Sequence, residues 1–189
     1  MANNIATLPP ISVTCTPEWI RAVKVWTNSM IVDEDWVYSD SNNKISYIAA
    51  RDGDVKTTNG ALMVTHALQY AGIFSTSMSI YGHEDGHIGD TGGALEKLRK
   101  VAIITSYEKD KLYAKDADLR IGDIVCYYGG HTNIYRGKNS KGVMQWYDAG
   151  AENTADKSAG STWNSFLLSS DDMKLPISNI IRFNWRCFR

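Results

Sequence analysis

Cysteine is scarce in this chain and is not arranged as a framework. Cys15, Cys126 and Cys187 form no metal-ligand spacing and no even set of pairs, which speaks against a disulfide-built fold. Cys15 and Cys187 lie near the two ends, where a pairing is open, but reduced thiols are the expectation. A surplus of one charge is also missing. Twenty Lys and Arg against twenty-one Asp and Glu leave a net charge of −1, so nothing argues for a nucleic-acid or anionic-membrane surface. No apolar run approaches the length needed to cross a bilayer. Met1 to Pro10 has neither a basic cluster nor an apolar stretch, so no secretory signal is read there and synthesis in the cytoplasm is expected. Low-complexity tracts and internal repeats are absent as well.

What remains is a 189-residue globular composition, most simply one domain with a sizeable core. Residues 1–16 read as an irregular N-terminal arm, and 17–189 as a single domain. Ten tyrosines and six tryptophans suit either a groove for sugar or peptide or an aromatic core.

The chain is organised around 57–72. Ala61, Leu62, Val64, Ala67, Leu68 and Ala71 recur at helical spacing, Asn59 is a good N-cap, and Gly72 sits where the helix should stop. Upstream, Thr16 and Pro17 open an earlier helix whose apolar stripe is Trp19, Ile20, Val23, Trp26 and Met30. Trp36 to Asn43 reads as a short strand or loop, and Arg51 to Asp54 as a turn. Ile73 to Asp90 is a long connection. It is followed by a short helix over Ala94–Lys100, a buried strand over Val101–Ile104 and a polar helix over Tyr107–Ala114.

From there the pattern turns to β structure. Strands are expected over Ile124–Tyr128, His131–Tyr135 and Val143–Asp148, separated by glycine-bearing turns, with a last strand over Ile177–Trp185. Helices first and an antiparallel meander afterwards indicate an α+β domain with the helices on one face of a small sheet.

Among residues able to do chemistry, His131 stands out because two glycines precede it and alternation puts it on one face with Asn133 and Tyr135. A lone strand histidine is more often structural. Asp148, at the end of a strand of its own, is usually a turn residue by position; the expectation here is that it lies beside His131 and fixes the ring as the third member of a catalytic triad does.

The order of these segments resembles the papain-like cysteine peptidases of the NlpC type. The run Leu119-Arg120-Ile121-Gly122-Asp123-Ile124-Val125 followed by His131-Thr132-Asn133-Ile134-Tyr135 is similar to that family's Gly-Asp turn, strand and histidine strand. Tyr147-Asp148-Ala149-Gly150 looks like the segment carrying its third polar residue, and Thr58-Asn59-Gly60-Ala61-Leu62 resembles its nucleophile turn with glycine in place of cysteine. Tyr47 lies where the family often has a tyrosine that helps bind the oxyanion.

The resemblance covers roughly residues 45–184. It implies a papain-like fold that cleaves peptide or isopeptide bonds in cell-wall stem peptides, as in an endolysin acting after release or non-classical export. The roles it implies are a thiolate at position 60, His131 as base and then acid, Asp148 orienting the ring, and the helix-start amides with Tyr47 on the oxyanion. Gly60 removes the first of these, so this chain is expected to be inactive. The glycine is either an introduced Cys→Gly change, the origin preferred here, or a natural loss.

Cys126, mid-strand, lacks the helix-end amides that lower a thiol pKa and reads as a small core residue. A rival metal site uses His83 and His87 with Glu84, Asp85 or Asp90, but glycine-rich surroundings and the lack of further Cys or His ligands argue against zinc. Gly89-Asp90-Thr91-Gly92-Gly93 lacks the lysine of a phosphate-binding loop, and His66 reads as a surface or packing residue. No cofactor is expected. The reading from another class is a catalytically dead wall-binding or protein-binding module on the same fold, and a metal-dependent hydrolase is a third.

Overall fold

The computed structural model describes residues 15–32, 36–38, 44–52, 56–81, 88–149, 167–169 and 175–185. In chain order the elements are α1 (Thr16–Val32), β1 (Trp36–Tyr38), α2 (Tyr47–Asp52), β2 (Lys56–Thr58), α3 (Gly60–Tyr70), α4 (Ala94–Val101), β3 (Ala102–Ser106), β4 (Ile124–Tyr127), β5 (Thr132–Lys138), β6 (Met144–Tyr147), β7 (Leu167–Ser169) and β8 (Ile177–Phe183). This is the expected α+β class. No helix among the described residues is long and apolar enough to cross a membrane.

The main sheet has six strands in the order β3-β8-β4-β5-β6-β7. The meander β4-β5-β6 forms as its turns predict and continues into β7, which the sequence pattern did not show. The last strand, β8, enters the middle of the sheet, antiparallel to both β3 and β4. That makes β4 central, and it is buried on both faces.

Ile124 and Cys126 point to the helices, where they join Trp19, Val23, Trp26 and Leu68 in the larger core. Val125 and Tyr127 point the other way, against Tyr135, Trp146 and Ile180. Tyr107, Leu112 and Leu119 pack over this second face. The stretch expected as a polar helix, 107–114, is therefore an irregular cover with one 3-10 turn at Ala114–Asp116. It carries no apolar stripe at helical spacing, and Asp110 sits at a φ of +62°.

Three other expectations change. Val101 ends α4, and β3 is an edge strand with Ile103 58% exposed rather than a buried one. Arg51 and Asp52 close α2 instead of forming a turn. Thr16, expected as the cap of α1, is already helical, and Ile20 in its stripe is only partly buried. The segment His83–His87, residues 1–14 of the arm and Cys187 lie outside the described residues.

α3 packs against both α1 and β5. It is buried along its whole length, so its polar residues are met from within. Asn59 caps it as predicted, its Oδ1 accepting from the Leu62 amide at 2.9 Å. Gly72 follows the helix end at a φ of +69°, a backbone state that glycine adopts without strain. A two-stranded parallel sheet, β1 with β2, leads into α3, its register pairing Tyr38 with Thr58.

Candidate active site

The N-terminus of α3 meets the start of β5. A Cβ built on Gly60 would stand 2.9 Å from His131 Nδ1, 3.0 Å from His131 Cε1 and 2.8 Å from the Thr132 carbonyl oxygen. Position 60 thus faces the imidazole. Gly60 does not have a positive φ, so its backbone conformation is open to any residue, and its smallness serves only the close approach. A side chain there requires α3 and β5 to part by a few tenths of an ångström, because one of the atoms in the way belongs to the backbone.

His131 lies just before β5, its side chain 19% exposed and stacked on Tyr127 with ring centroids 5.9 Å apart. Its Nε2 lies 2.9 Å from Asp148 Oδ1 and 3.0 Å from Oδ2. An ionised carboxylate only accepts, so Nε2 carries the proton in this pair. Nδ1 then turns toward α3. Asp148 is buried at the end of β6 and is held a second time, Asn133 Nδ2 donating to Oδ2 at 3.0 Å. Asn133 in turn accepts at Oδ1 from the Tyr127 hydroxyl at 3.1 Å.

Of the predicted site residues, Gly60, His131 and Asp148 come together and Tyr47 does not. The Tyr47 amide donates to Gln69 Oε1 at 2.9 Å, and its ring packs edge-on against Trp26. Gln69 lies nine residues along α3 from Gly60, about 13 Å at the helical rise. Tyr47 also borders a groove of about 460 Å³ with Ile48, Ile73, Phe74 and Lys97, at that far end of the helix. The assignment of Tyr47 to the oxyanion is corrected accordingly. The β1–β2 ladder brings the backbone of another tyrosine, Tyr38, opposite Thr58, two residues before Gly60. Parallel pairing between segments 20 residues apart leaves no local signal.

The other candidates are settled by their surroundings. Burial pushes the Cys126 thiol up to about 12, which keeps it protonated and unreactive near neutrality. His66 is a packing residue, buried, with Nε2 3.0 Å from the Lys44 carbonyl oxygen. Asp90 accepts from the Leu95 amide at 2.8 Å in the first turn of α4, and Gly92 and Gly93 both have positive φ. That run is thus a helix entry. Among the described residues no group of three or more His, Cys, Asp or Glu is placed to hold a metal ion. Tyr135, expected to share the His131 face, packs against Trp146 at 5.2 Å in the second core.

Sequence reasoning did not give Asn133 and Tyr127 their part in the site. The alternation of β5 carried half the signal for Asn133. No family model, no curated protein and no solved structure matches the chain.

Proposed function

We propose that this domain is a papain-like cysteine peptidase of the NlpC type, directed at peptidoglycan stem peptides and lacking its nucleophile. The observation that carries the reading is the pair formed by His131 and buried Asp148, with the second ring nitrogen turned to the first residue of a buried helix. A thiol at position 60 would sit at a helix start, where the dipole favours a thiolate. His131 would take its proton as it attacks the scissile carbonyl and then return a proton to the leaving amine. Asp148 would keep the imidazole in the required tautomer. Amides of the first turn of α3 would face the oxyanion. With Gly60 the covalent route is absent, and the chain as it stands holds the peptide without cutting it.

The close approach of Gly60 to the Thr132 carbonyl favours the second reading, a wall- or protein-binding module in which glycine is the residue the packing is built for. A digest of purified peptidoglycan by the chain and by Gly60→Cys, with products identified by mass, separates the two. Cleavage by the cysteine form alone supports the peptidase. Folded Gly60→Cys protein that cuts no wall type supports the binding module. Cleavage by the unaltered chain overturns the mechanism.

A further inference from the structure

Asp148 is a buried carboxylate whose hold is narrow. Oδ2 accepts from His131 and Asn133, and Oδ1 has no hydrogen-bond partner besides its approach to the same His131 nitrogen, among the described residues. Among the described residues, Asn133 is therefore the one group besides His131 that holds the carboxylate by a hydrogen bond. The amide itself is free to turn over unless something orients it, since its two ends have nearly the same shape.

The carboxylate sets the orientation of the amide and Tyr127 anchors its other end, so the direction of every bond in the chain follows from chemistry. The carboxylate accepts only, so Asn133 must present Nδ2 to it. Oδ1 then faces Tyr127, whose hydroxyl must donate. Turning the amide over would set its oxygen against the carboxylate with no hydrogen between them, so this orientation is excluded at the Asp148 end. All three side chains are buried, so water does not compete for these bonds. Tyr127 can keep donating because burial, with the nearby Asp148 charge, raises its ionisation well above the ordinary tyrosine range.

We propose that Tyr127 and Asn133 are the positioning residues of this site: a one-way hydrogen-bond chain from phenol to amide to carboxylate holds Asp148 against His131 and thereby turns Nδ1 to position 60. Its catalytic meaning rests on the reading of His131 as a base, while the chain of bonds stands without it. The ionisable groups facing His131 include Asp148 at the end of β6 and Tyr127 of β4, stacked on its ring; α3 presents the uncharged Gly60.

The test is an NMR titration of the His131 ring in the unaltered chain and in Asp148→Asn, Asn133→Leu and Tyr127→Phe. It needs no substrate, so a failed peptidoglycan digest leaves it intact. Removing the anion in Asp148→Asn lowers the His131 pKa by about one unit or more. Asn133→Leu lowers it nearly as far, because the undirected carboxylate swings away or takes up a proton. Tyr127→Phe, which deletes one oxygen and keeps the packing, lowers it by a smaller amount. Folded Asn133→Leu or Tyr127→Phe with an unmoved titration overturns the proposal and leaves the pair as core filling. A rise also overturns it, since that would mean Asn133 only damps the charge of a carboxylate already fixed. An unmoved titration in Asp148→Asn would show that the ion pair itself does not form.

Discussion

Two histidines meet α3 in opposite ways. His66 lies within the helix, fully buried, edge-on to Trp26, with its Nε2 3.0 Å from the Lys44 carbonyl oxygen and, among the described residues, no hydrogen-bond partner for Nδ1. Loss of hydration dominates there and lowers its pKa to about 4, so it is neutral at pH 7. His131 packs on the first residue of the same helix, partly open to solvent and paired with a buried carboxylate. A carbonyl partner suits a neutral ring that serves as structure. A carboxylate partner beside solvent suits a ring that exchanges protons. The residue type is the same, and the partner decides the use.

The sharpest break in this comparison comes at Gln69, which stands with His66 on the structural side. Its side chain accepts from the Tyr47 amide and donates to the Ile45 and Met78 carbonyls. Gln69→Leu strands one buried and two part-buried backbone groups and should cost about 4 kcal/mol in urea unfolding. The His131 titration should stay in place. Movement of that titration would show that the two ends of α3 are one coupled unit.

Next in size is Gly60→Ala, whose methyl group meets the Thr132 carbonyl and the His131 ring. A loss of about 2 to 3 kcal/mol is expected from the forced separation of α3 and β5. A stability equal to that of the unaltered chain would show that the contact yields freely, and would remove the main support for the binding-module reading.

The smallest effect is the acid response of His66. The unfolded ring takes up a proton near pH 6.5 and the folded one only near pH 4, so stability falls as pH drops through that window. From pH 7 to pH 5 the loss is about 2 kcal/mol from this group. Melts of the unaltered chain and of His66→Gln at both pH values isolate it. An equal pH dependence in the two would show that His66 is already protonated or hydrated.

The organising helix was legible because its signals are local: Asn59 caps it and its apolar residues repeat at helical spacing. The meander was legible because glycine turns and alternation mark each strand. The same locality explains the errors. The 107–114 segment has helix-forming residues but no face to bury, and the sheet uses its Tyr107 and Leu112 as a cover instead. Val101–Ile104 has the composition of a buried strand, yet β8 takes the inner position and leaves β3 at the edge. Tyr47 has the oxyanion role only through the resemblance, whereas Gln69 and Trp26 hold it at the other end of the helix.

The sequence alone determined the α+β class, the buried helix opening at Gly60, the strands around His131 and Asp148, and the absence of a thiol where the resemblance asks for one. These depend on contacts within a few residues, or on residue identity, and both are written in the chain. Only the tertiary structure decided that His131 and Asp148 pair, that Asn133 and Tyr127 stand behind them, and that Gly60 has no room beside it. Those facts depend on how α3 and three strands approach one another, and that approach is set by the summed packing of two cores rather than by any one segment.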